Sequence, residues 1–195
     1  MRLWLKARRP RLCGAAILVS LAVLIVVSES TVPMPRLVDS AEAGLPIALM
    51  TPLLVVVSMA FSLTGGMRHA EAVSVRPVWA LELLWVTVIV VVGLAGCVLI
   101  SGWSNTSLAP EAARNLIGFT GLMLTGRVVV GSRAAGVVPV GYFVVASLLG
   151  RGSRDEVAHW AWAADGHLDS TDLTICLGLL ILGAGLRHTL RELGD

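Results

Sequence analysis

Six long apolar runs leave this chain few ways to fold. They cover about residues 12–27, 46–63, 81–100, 112–130, 134–149 and 173–186. Roughly 18–20 apolar residues carry a helix across the hydrocarbon of a bilayer, and several of the runs reach or approach that length. A soluble domain of 195 residues could not bury all of them, and only 14% of the residues are charged, against about 25% in an ordinary soluble domain. In lipid every backbone N–H and C=O has to be satisfied within the protein, which favours helices. The expected fold is therefore all-α: a polytopic membrane protein with six transmembrane helices in one domain, residues 1–195.

Charge gives the orientation. With the N-terminus inside, the inner segments hold eleven basic residues, and the outer ones hold only Arg36, Arg114, Arg151 and Arg154. Cytoplasmic loops of membrane proteins are enriched in Lys and Arg, so the expected topology is N-in, C-in. The acids lean the other way, with Glu71, Glu82, Glu192 and Asp195 inside and nine outside. Residues 1–11 carry five basic side chains and no acid, with Trp4 among them. Such a segment suits an amphipathic helix on anionic headgroups. A signal peptide is the competing reading of a basic stretch before an apolar one, but the small residues near Ser28 and Ser30 make a poor cleavage site.

Between the runs lie four features of note. Residues 28–45 read as a polar loop broken by Pro33 and Pro35. The second run contains Pro52, expected to kink a spanning helix, and the fifth has Pro139 near its middle. Residues 65–77 form a polar island with Arg68, His69, Glu71 and Arg76 on one side and Met67, Ala70, Val73 and Val75 on the other. This fits either a short surface helix or a plain solvated loop, cytoplasmic by the charge count. Residues 150–171 gather acids, His159, His167, Trp160 and Trp162. Their spacing matches no metal-ligand pattern, and Val157, Trp160 and Trp162 suit a short amphipathic or re-entrant segment dipping into the interface. Thr171-Asp172 reads as the cap of the last helix.

Enzymatic chemistry finds little support. The chain has no P-loop, no HExxH, no GxSxG and no Asp-rich metal motif. Cys13, Cys97 and Cys176 sit in or beside apolar runs and read as packing residues, and no metal site is expected. Glu82 and Arg127 are the charges nearest to entering a span. They are expected at the inner ends of their helices, either snorkelling to the interface or forming an ion pair.

The layout resembles the permease subunits of type-2, export-class ABC transporters. The resemblance rests on the basic segment 1–11, the island at 66–78 and the outer segment 150–171. It rests also on Ala113-Arg114-Asn115-Leu116-Ile117-Gly118-Phe119-Thr120-Gly121-Leu122, Gly126-Arg127, Gly131-Ser132-Arg133 and Trp160-Ala161-Trp162, which are similar to small actinobacterial permeases. It implies a short cytoplasmic coupling helix between spans two and three, with Arg68, His69, Glu71 and Arg76 contacting an ATPase, and a re-entrant segment between spans five and six. The partners implied are cytoplasmic ABC ATPase subunits, a second permease subunit as homo- or heterodimer, and the lipid bilayer, with no nucleic acid. ATP and Mg would belong to the ATPase, leaving this chain without a cofactor and without enzymatic activity. Motion would pass to spans two and three through hinges at Pro52 and Pro77. The expected function is ATP-driven export of a hydrophobic or amphiphilic cargo, such as a lipid, drug or peptide natural product, across a bacterial plasma membrane. The alternative is a non-transporting assembly, immunity or sensor subunit.

Overall fold

The computed structural model describes residues 8–27, 30–35, 42–64, 78–103, 108–150 and 157–192. Each apolar run falls on one α-helix: α1 Pro10–Val27, α2 Thr51–Thr64, α3 Val78–Trp103, α4 Ala109–Val129, α5 Val137–Leu149 and α6 Ser170–Glu192. Three segments, Pro10–Val27, Ile47–Thr64 and Ala80–Trp103, are long and apolar enough to cross a membrane. Their surfaces agree with that use. Only 22% of the first of them is buried, and Leu18, Val26, Phe61, Val98 and Leu99 project outward with most of their area uncovered. Each such side chain would gain about 1.5–3 kcal/mol by leaving water, so a belt of them calls for lipid or for other protein.

The helix ends follow local rules. Pro110 lies in the first turn of α4, where its missing N–H is not needed. Glu111 in that turn and Arg127 in the last complement the helix dipole. The chain leaves α4 through Gly131, whose φ of 92° is the left-handed geometry that ends many helices.

Four expectations need correction. Pro52 does not kink a spanning helix, because a 3-10 turn, Ile47–Met50, precedes it and α2 begins only at Thr51. Pro139 likewise stands in the first turn of α5 rather than at the middle of a span. Proline is tolerated in a first turn because the N–H it lacks would have no helical partner there. The polar loop at 28–45 contains an antiparallel hairpin, β1 Thr31–Pro35 with β2 Glu42–Pro46, in the register Thr31 opposite Pro46. It connects α1 to α2, and Ile47 N–H donates to the Ser30 carbonyl at 3.1 Å. Finally, Asp169 rather than Thr171-Asp172 caps α6: its Oδ1 accepts the Thr171 N–H at 3.4 Å, one residue before the helix starts.

The core is apolar and packed through glycines. α4 lies at the centre, closest to α6. A Cβ added at Gly121 would stand 2.6 Å from the backbone of Leu179 and Leu180, and one at Gly183 would stand 2.8 Å from the Gly121 carbonyl oxygen. Helix backbones approach this closely only where small residues face each other, as in membrane helix pairs. Gly93 similarly admits Leu116, and Gly96 admits Leu21. Phe119, Met59, Met123, Leu124 and Val56 fill the interior completely.

Candidate functional site

Two polar clusters interrupt this apolar bundle, one at each end of α4. Thirteen residues separate Arg114 from Arg127, about 20 Å along a helix.

The first cluster is centred on Glu82, in the second turn of α3. Arg8, just before α1, donates from Nη2 to Glu82 Oε1 at 2.6 Å and from Nη1 to the Leu63 carbonyl at 2.7 Å. Arg127 donates from Nη1 to Glu82 Oε2 at 3.3 Å, and from Nη2 to Oε1 and to the Leu63 carbonyl, each at 3.4 Å. The Arg8 and Glu82 side chains retain 1% and 4% of their exposure. One carboxylate thus joins the start of α1, the start of α3 and the end of α4. The Leu63 carbonyl, an acceptor left over at the C-terminal end of α2, brings in the fourth helix. Charge-assisted bonds of this kind are the strong ones, and apolar surroundings raise the cost of leaving either sign unpaired.

The second cluster is built on Arg114 and Asn115, one to two turns into α4. Arg114 is fully buried and donates to Asp172 Oδ2 at 3.1 Å. It also donates to the carbonyls of Trp162 at 2.6 Å, His167 at 2.7 Å and Asp165 at 2.8 Å. Asn115 Oδ1 accepts from Arg114 Nε and Nη2 at 3.3 Å, while its Nδ2 donates to the carbonyls of Ala163 at 3.0 Å and Leu49 at 3.3 Å. Among the described residues, the segment after α5 holds a short 3-10 turn, His159–Ala164. Its carbonyls would be orphaned on burial, and the guanidinium and the amide supply the donors. Trp162 then packs inward, 5.4 Å from Phe119 and 5.1 Å from Tyr142 between ring centroids. The Tyr142 hydroxyl donates to the Trp160 carbonyl.

This changes the reading of the outer segment. Trp160 is half exposed, as an interfacial residue would be, but Trp162 is a core residue at 2% exposure. Gly118 makes the space: a Cβ there would meet the Trp162 ring at 2.3 Å. His159, Asp169 and Asp172 have potential ligand atoms within 4.8 Å of one another. Asp172 is engaged by Arg114, Asp169 caps α6, and the positive end of the α6 dipole faces the group. The cluster is therefore a helix start tied down by an arginine. The backbone N–H of Thr171 holds the exposed Asp169 carboxyl below the usual carboxylate range.

Glu82 and Arg127, singled out from the sequence, are brought together. Arg68, His69, Glu71 and Arg76 lie outside the described residues, as do residues 1–7 of the basic segment, Pro77 and residues 151–156. Sequence reasoning missed Arg8 as a partner of Glu82, because nothing local distinguishes it from its basic neighbours. It also missed the Arg114–Asn115–Asp172 cluster, counting Arg114 as an ordinary outer charge. A signal was available, since an Arg-Asn pair followed at once by a Leu-Ile-Gly-Phe run is costly in a membrane helix unless it is partnered. The three cysteines are free and buried.

Comparison with protein-family models, with curated proteins and with solved structures finds no match. The fold and the two clusters define a helical bundle with an apolar exterior, and function has to be argued from them.

Proposed function

We propose that the chain is the six-span, N-in and C-in permease subunit of an ATP-driven exporter in the plasma membrane of a bacterium. It works as a pair of permeases above separate cytoplasmic ATPase subunits that bind ATP and Mg. One observation carries the reading. Leu63 and Glu82 flank the 65–77 connector, and both are held by Arg8 and Arg127 in a single buried cluster. A force applied to the connector is thereby delivered to α1, α2, α3 and α4 together rather than to one helix end. Coupling between sites needs an element of this kind, whose arrangement both sites can bias. The connector itself, with Arg68, His69, Glu71 and Arg76, is the contact for the ATPase.

The bundle interior supports passage between two subunits rather than through one. Phe119, Met123 and Val56 close the middle of the chain, so cargo would travel along apolar outer faces. That favours a hydrophobic or amphiphilic molecule. The test is co-purification of the tagged full chain with a P-loop ATPase, followed by ATPase assays of the reconstituted complex. Glu71→Ala and Glu82→Gln should each uncouple hydrolysis from the permease. If no ATPase accompanies the chain, or if both variants leave the complex's hydrolysis unchanged, the proposal fails and a non-transporting subunit is the better reading.

A further inference from the structure

Outside both clusters, the described residues form a groove of about 690 Å³ between α1 and α2, bordered on one side by α5. Val19 and Val23 of α1, Leu54, Val57 and Phe61 of α2, and Val140 of α5 form its walls. Small-molecule sites generally occupy about 300–1,000 Å³. A second hollow of about 210 Å³ shares Val57, Phe61 and Val140 with the first and continues it to Thr64 and Arg133. The combined channel runs along α2 from the hairpin end to the end that carries Glu82. Among the described lining residues it is apolar for most of its length, and the one cationic side chain, Arg133, stands at the far end from the hairpin. Arg133 lines that mouth and is exposed.

We propose that this groove holds the acyl chains of an anionic phospholipid, with the headgroup phosphate at Arg133. The inference rests on the chain being embedded in a membrane and is independent of ATPase coupling. The shape is that of an amphiphile: a long apolar slot open to the side, ending in positive charge. Arginine pairs with phosphate through its planar fork of donors. A second copy of the chain fits the same face poorly. In a parallel pair within a bilayer, the like-charged Arg133 mouths of the two copies would lie on the same side of the membrane, beside an apolar seam. Thr64 adds a hydroxyl beside the mouth, although its own Oγ1 already donates to the Phe61 carbonyl at 2.7 Å.

The experiment uses the full chain reconstituted in phosphatidylcholine vesicles, with spin-labelled phosphatidylglycerol and phosphatidylcholine of equal chain length as probes. A basic side chain beside an anionic lipid favours it about fivefold, so phosphatidylglycerol should associate about fivefold more strongly. Arg133→Gln should lower that ratio about fivefold and leave phosphatidylcholine unchanged, and Arg133→Lys should restore most of it. Val140→Trp, which fills the slot, should reduce association of both lipids. Equal association of the two lipids with the wild type would overturn the proposal, as would an unchanged ratio in Arg133→Gln. Displacement of the label by inorganic phosphate alone would show a site for free phosphate and would also overturn it. A Phe61→Cys variant that cross-links into dimers in the membrane would assign the groove to a second copy. Release of the wild-type chain from membranes by alkaline carbonate is a separate outcome, and it would remove the membrane reading itself.

Discussion

Arg114→Met tests whether the buried cluster at the start of α4 holds the outer segment in place. The substitution keeps an unbranched side chain of similar reach, so the cavity term is small. What is lost is a network: one carboxylate, three backbone carbonyls and the Asn115 amide oxygen all lose the guanidinium, although the Trp162 carbonyl keeps the Asp165 N–H at 3.3 Å. Removing one partner of a buried pair costs about 3–5 kcal/mol, because the other charge is left without compensation. Orphaned carbonyls cost about 1–3 kcal/mol each when they cannot reach water, but the segment can open to solvent and so caps the total. A destabilisation of about 3–5 kcal/mol is expected, a large share of a typical folding free energy of about 5–15 kcal/mol.

The assay is SDS-driven unfolding in mixed micelles, read by tryptophan fluorescence. A double-mutant cycle with Asp172→Leu separates the ion pair from the carbonyl contacts. Asp172→Leu alone leaves the guanidinium its carbonyl acceptors, and the double variant removes both charges at once. The two changes should be non-additive by about 1.5–3 kcal/mol in the stabilising sense. Arg114→Lys should fall between wild type and Met, since an ammonium cannot span the fork of acceptors. Additivity to within about 0.5 kcal/mol, or a loss below about 1 kcal/mol for Arg114→Met, would refute the reasoning.

Three further outcomes follow from the geometry. Gly121→Val should separate α4 from α6, because its Cβ would stand 2.6 Å from the Leu179–Leu180 backbone. The expected loss is about 1–3 kcal/mol or more in the same unfolding assay, with Leu122→Val as the tolerated control. Glu82→Gln should loosen Arg8, so trypsin cleavage after Arg8, which is fully buried in the folded protein, should accelerate several-fold. Unchanged cleavage kinetics would show that the carboxylate does not hold the segment. Asp169 has a folded-state pKa below its ordinary value because it accepts the Thr171 N–H. Its capping contribution is therefore present above the ordinary carboxylate range and lost as pH falls through the depressed value. Hydrogen exchange at the first turn of α6, corrected for intrinsic rates, should quicken over that fall and stay pH-independent in Asp169→Asn.

The position of the helices was legible in the sequence because apolar length is a one-dimensional property. Leu12–Val27 or Leu81–Ile100 could hardly be anything else. Helix starts were less legible: Pro52 and Pro139 look the same in a string whether they kink a span or open it, and the difference lies in the 3-10 turn and the loop that precede them. Trp162 was misplaced because a tryptophan near a span end suits an interface equally well, and only Gly118, forty-four residues earlier, makes room for it in the core.

The polar clusters show where the string stops informing and the fold starts. Glu82 and Arg127 were noticeable because each is an ionisable group entering an apolar run, where an unpartnered charge is costly. Their third member, Arg8, carries no such mark. It sits among four other basic residues, and its guanidinium reaches the carbonyl of Leu63 at the end of α2. Arg127 reaches Glu82 with bonds of 3.3–3.4 Å. With Arg8 inserted, the shortest contact becomes 2.6 Å, and the start of α1 is joined to both ends of the 65–77 connector. The segment that looked like a membrane-surface anchor is thus also part of the mechanical base of the bundle. Deleting the charge at Arg8 should consequently matter more than deleting it at Arg9 or Arg11, although all three count equally toward orientation.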